Sequence, residues 1–172
     1  HMLQMIALLA MDPPASRDDE SLRDAKVRVL RSMRSLDSDD VVRGRYRGFL
    51  QESGVHPDSR TETYAAARFH IDSWRWAGVP FLVRVGKNMP VTATEVLVDL
   101  RRPPQGLFDD SADCDRNYFR FQFKPFTTIS IGARAKKPGD AMLGEQIEMI
   151  ALHQEPDEIS AYERLIEDAL SG

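Results

Sequence analysis

The first residues, Met2 to Met11, are apolar on nearly every side, the pattern of a helix buried against other elements. Pro13-Pro14 stops that helix. Ser16 followed by Asp18, Asp19 and Glu20 then predicts an N-cap and an acidic first turn, which suit the positive end of a helix dipole. Leu22, Ala25, Val29, Leu30, Met33 and Leu36 recur at three- and four-residue spacing and predict a second helix with one core-facing stripe.

From Val41 the period changes to two. Val42, Gly44 and Tyr46 alternate with Arg43, Arg45 and Arg47, as in a strand buried on the first side only. Beyond a polar loop, the span 61–74 sets Thr61, Thr63, Ala65, Ala67, Phe69 and Ile71 against Glu62, Tyr64, Arg68 and His70. Further strands are expected over 81–85 and 92–101, around Phe119, Phe121 and Phe123, around Ile129 and Ile131, and over 146–152. From Pro156 the period is helical again through Ile159, Tyr162, Leu165, Ile166 and Leu170. Helices, then strands joined by links too short for crossover helices, imply an α+β fold: a large, mainly antiparallel sheet followed by one further helix. Basic and apolar residues alternate across that sheet, so one face is solvated, covered by helices, or paired with a second subunit.

Length and charge narrow the function. The 172 residues correspond to one domain, 42% hydrophobic, with a net charge of −4 that gives no reason to expect nucleic acid. The apolar run at the start is half of a membrane span, and without a basic leader or cleavage site it predicts neither a membrane segment nor a signal peptide. Cys114, the only cysteine, excludes an internal disulfide and fits a cytoplasmic protein; its acidic loop raises rather than lowers a thiol pKa. No G-x-G-x-x-G or P-loop is present, and His1, His56, His70 and His153 have no second ligand at metal spacing, so no metal is expected.

Several runs carry a resemblance. Arg45-Tyr46-Arg47-Gly48, Thr61-Glu62-Thr63-Tyr64, Trp74-Arg75-Trp76-Ala77-Gly78-Val79-Pro80-Phe81 and Arg84-Val85-Gly86-Lys87 stand in order and at matching spacing. Met11-Asp12-Pro13-Pro14 before them, and Lys136-Lys137-Pro138-Gly139 and Ala161-Tyr162-Glu163-Arg164-Leu165 after them, extend the match to the whole chain. Together they resemble the C-terminal, substrate and dimerisation domain of the glucose-6-phosphate dehydrogenase family. The Rossmann-type nucleotide-binding domain and the extreme C-terminus of the family are missing from the match.

The resemblance implies an enzyme of the pentose phosphate pathway that oxidises the C1 hydroxyl of glucose 6-phosphate to the lactone and passes hydride to NADP. It also implies a homodimer formed through the sheet. His1 aligns with the family's catalytic base, although His-Met is equally the remnant of a cleaved affinity tag, and both origins stay open. Lys87 aligns with a substrate-binding lysine. Thr92 replaces a second basic residue found in many members, and Lys124 replaces a glutamine and so offers a cation that Thr92 does not. Gln122, Ser130 and Gly132 stand where some animal enzymes hold a second, structural NADP, which argues against such a site here; no cofactor is expected on this chain. By itself the chain is expected to be inactive. The competing readings are a non-catalytic dimerisation module and a sugar-phosphate binder without turnover.

Overall fold

A computed structural model describes residues 2–108, 116–124, 126–139 and 141–152. The chain divides into two units, residues 1–89 and 90–172.

The first unit opens with helices α1 (Met2–Ala10) and α2 (Asp19–Arg31). Its sheet has the order β1 (Val41–Gly44), β2 (Tyr64–Phe69), β3 (Phe81–Gly86), and both pairings are antiparallel. Ile6 and Ala10 of α1, Val29 of α2, and Phe69 and Ile71 form the core, with Ala67, Trp76, Phe81 and Val83 packed on it. The period-two reading of 61–71 is thus met: Ala67, Phe69 and Ile71 share the buried side, while Arg68 is exposed.

Three details differ from expectation. The N-cap of α2 is Asp18, whose side chain accepts from Ser21 N at 2.8 Å, and Ser16 donates its hydroxyl to Asp18 rather than capping the helix itself. The helix ends at Arg31, so Met33 and Leu36 of the predicted stripe lie beyond it; Met33 instead bridges Ile71 in antiparallel fashion. In β1 the sides are reversed. Val41 pairs with core-facing Ala67, whereas Val42 pairs with Ala66 on the outer face and is 64% exposed. An edge strand is held by its ladder, and a single outward valine costs too little to decide the register.

The second unit is a four-stranded antiparallel sheet in the order β4 (Thr94–Asp99), β5 (Tyr118–Lys124), β6 (Thr128–Lys136), β7 (Gly144–Leu152). The antiparallel α+β reading holds, with the strands shared between two sheets of three and four. Residues directly opposite in a ladder share a face. The register therefore places Val96, Val98, Phe119, Phe121, Ile129, Ile131 and Met149 on one side. Leu97, Arg120, Ser130 and Ile150 lie on the other. The expected helix after Pro156 lies outside the described residues, as do His1, Cys114 and His153.

Candidate functional site

Lys87 follows the last residue of β3, and its backbone is tightly held. Its N–H donates to Thr63 O at 2.8 Å, one step beyond the final rung of the ladder, Tyr64 opposite Gly86. The chain then turns through Asn88, which adopts a left-handed φ of 52° that asparagine tolerates better than most residues. Gly86 is closely covered here: a Cβ would stand 2.9 Å from Met89 Sδ and 3.0 Å from the Tyr64 ring, so a larger residue would have to shift those side chains. The stem of Lys87 therefore starts from a fixed point, while its side chain is exposed. Among the described residues, no ion pair engages its ammonium. An exposed, uncompensated ammonium on a rigid turn is suited to holding an anionic group.

The loop after β1 leaves from the same end of this sheet, because Gly44, Tyr64 and Gly86 occupy one row of the ladder. Thr63 joins the two. It is a buried polar residue, 8% exposed, whose Oγ1 accepts from Tyr46 N at 3.1 Å and whose N–H donates to Gly44 O at 2.9 Å. Gly48 completes the loop with a φ of 97°, and the Tyr46 hydroxyl donates to Glu52 at 3.2 Å. Burial, followed by the bond to Glu52, raises the Tyr46 phenol above its ordinary value.

Thr92 and Lys124 belong to the second unit, and the β4–β5 ladder brings them to one end of that sheet. Lys124 pairs with Thr94, two residues after Thr92, at a register shift between Thr94 and Glu95. Both side chains are exposed. Gln122, Ser130 and Gly132 lie on the polar side of the same sheet, and the last two are engaged locally. Ser130, 3% exposed, donates its hydroxyl to Glu148 at 2.7 Å, and the Tyr118 ring lies so close over Gly132 that a Cβ there would be 2.1 Å from it. Hydrogen bonds from Ser130 and then Tyr118, with the charge of Arg120 at 3.8 Å adding to them, hold the Glu148 carboxyl below its ordinary range.

Two features were not legible in the sequence. Trp76, inside the longest matching run, donates its indole N–H to Ala10 O at 2.9 Å and meets Phe81 edge to face at 5.1 Å. Thr63 was assigned only to the core side of its strand. A hydroxyl on the side that also carries Ala65, Ala67, Phe69 and Ile71 was the available signal, because a buried hydroxyl must find a partner. His56 serves locally, its Nδ1 accepting from Asp58 N at 3.2 Å. Among the described residues, no three metal-ligating side chains converge, and no helix is long and apolar enough to cross a membrane.

The family model for the C-terminal domain of glucose-6-phosphate dehydrogenase matches residues 1–172. A glucose-6-phosphate 1-dehydrogenase of Aggregatibacter actinomycetemcomitans is 37% identical over 189 residues, covering all of this chain and 38% of the relative (100% and 38%). One from Mycobacterium bovis is 51% identical over 104 residues, 60% of this chain and 22% of the relative. The crystal structure of glucose-6-phosphate 1-dehydrogenase from Mycobacterium avium superposes with a TM-score of 0.87 at 35% identity, over 98% of this chain and 36% of that one. A glucose-6-phosphate dehydrogenase solved in complex with its substrate glucose-6-phosphate gives a TM-score of 0.83 at 34% identity, over 99% of this chain and 37% of that one. The chain thus spans less than two-fifths of the length of these relatives.

Proposed function

The chain belongs to the C-terminal domain family of glucose-6-phosphate dehydrogenases, and from that premise we propose that it forms the substrate and dimerisation part of an NADP-linked, cytoplasmic enzyme that oxidises D-glucose 6-phosphate to 6-phospho-D-glucono-1,5-lactone, the first step of the pentose phosphate pathway. The observation that carries this reading is Lys87: an exposed ammonium on a turn held by a backbone bond next to the closely covered Gly86.

In the reaction the C1 hydroxyl gives up its proton to a base, the C1–H bond breaks with its electron pair, and the C1=O bond of the lactone forms. The base is the histidine at position 1, or the parent residue in its place where His1 derives from a tag. A histidine suits this task because its pKa lies near neutrality. NADP supplies the hydride acceptor when bound; this sequence contains no dinucleotide fingerprint to cradle it, and nucleotide binding falls to another part of the parent protein. Lys87 binds and orients the anionic sugar phosphate so that C1 presents its hydrogen correctly. Lys124 adds a cation at the β4–β5 end, beside the position where Thr92 carries none.

Substituting Lys87 by alanine in the full-length enzyme tests the assignment. A charge-assisted hydrogen bond contributes about 1.5–3 kcal/mol, so kcat/KM for glucose 6-phosphate is expected to fall roughly ten- to a hundred-fold. Affinity for NADP should hardly change. An unchanged kcat/KM, or an equal loss for both ligands, would remove Lys87 from the substrate site.

A further inference from the structure

The Thr61–Tyr64 run has no task in the reaction as proposed, yet Thr63 lies where three backbone segments meet. Its N–H reaches Gly44 at the end of β1, its carbonyl accepts from Lys87, and its hydroxyl oxygen accepts from Tyr46 in the loop after β1. The two main-chain bonds would form with any residue at this position. The third needs a side-chain acceptor at the length of threonine or serine.

That bond closes the Arg45–Gly48 loop against the end of the sheet. Without it a part-buried Tyr46 N–H loses its partner, and an unpaired buried donor is costly enough to move the segment that carries it. Movement there is transmitted directly, because the residue released from Tyr46 is the one whose carbonyl anchors Lys87. A lysine ammonium stands on a flexible four-carbon stem, so its position depends on where the stem begins. Displacement of a substrate-holding group by about an ångström can cost a hundred-fold in rate.

We propose that Thr63 is a positioning residue for Lys87: its hydroxyl clamps the Arg45–Gly48 loop and thereby sets where the Lys87 ammonium meets the sugar phosphate. This rests on the substrate role of Lys87, and the test separates the two. In the full-length enzyme, Thr63→Val, Thr63→Ser, Lys87→Ala and the double variant Thr63→Val/Lys87→Ala are compared by steady-state kinetics. Thr63→Val preserves shape but removes the acceptor, and kcat/KM for glucose 6-phosphate should fall roughly three- to ten-fold with KM for NADP unchanged. Thr63→Ser, which keeps the acceptor, should recover most of that loss. In the Lys87→Ala background, Thr63→Val should have no further effect, because the group through which Thr63 acts is already gone.

If Lys87→Ala is indistinguishable from wild type, the substrate role of Lys87 fails and this proposal with it. If Lys87→Ala is impaired but Thr63→Val is not, or Thr63→Val lowers both backgrounds by the same factor, the proposal alone is overturned. A second measurement does not depend on any variant folding. Amide exchange in the wild-type enzyme should show Tyr46 and Lys87 N–H protected to the same degree, and rapid exchange at Tyr46 would overturn the clamp.

Discussion

Two tryptophans two residues apart offer a controlled test of how the first unit is held together. Trp76 donates to Ala10 O, one of the carbonyls at the end of α1 that has no partner within the helix, and Ala10 is buried. Phenylalanine at position 76 would keep an edge-to-face ring against Phe81 but leave that carbonyl unpaired. An unpaired buried acceptor costs about 1–3 kcal/mol. The smaller ring forfeits roughly 0.5 kcal/mol more, because Trp76 is only half-buried and the lost apolar area counts at about 25 cal/mol/Å². Trp76→Phe should therefore destabilise the chain by about 1.5–3.5 kcal/mol, a shift of about 0.7–1.8 M in the urea midpoint for an m-value of about 2 kcal/mol/M. Trp74 is 105% exposed, and Trp74→Phe should stay within ~0.5 kcal/mol of wild type. Far-UV circular dichroism is the proper readout, since both substitutions alter tryptophan fluorescence. Equal midpoint shifts for the two variants, or a Trp76→Phe midpoint matching wild type, would refute the assignment of the Ala10 bond to the stability of this unit.

Glu148 makes the four-stranded sheet acid-sensitive. Its carboxyl is held below its ordinary value of 4.5, so its stabilisation is complete above that pH and is lost as pH falls through the depressed value. Thermal melts against pH should show a steeper acid limb for wild type than for Glu148→Gln, and parallel curves would contradict this. Sedimentation at tens of micromolar should find the chain self-associated through the sheet, whose apolar side leaves Ile129 49% and Met149 56% exposed; a monomer would argue against a dimerisation role. The 172-residue chain alone should form no NADPH from glucose 6-phosphate above a heat-killed control, and turnover would refute the assignment of nucleotide binding to another part of the parent.

Sequence alone determined what is local. An all-round apolar run marked the first helix, three- and four-residue spacing the second, and alternation most of the strands, because a side chain's direction repeats with the backbone's own period. The buried side of the segment 67–71 followed from Ala67, Phe69 and Ile71, which alternate with Arg68 and His70. Lys87 was singled out by a conjunction of short runs rather than by any pattern of its own. Tertiary structure decided what depends on distant partners. Nothing near position 42 says that β1 is an edge strand with Val42 outward, and nothing near Met33 says that it leaves the helical stripe to bridge Ile71. Trp76 finds its acceptor 66 residues away, and Arg34 finds Asp72 across 38. Thr63 is the clearest case. Periodicity placed it on the buried side, but its meaning lies in three hydrogen bonds to segments that only the folded sheet brings together, and a one-dimensional pattern carries no record of which chain ends become neighbours.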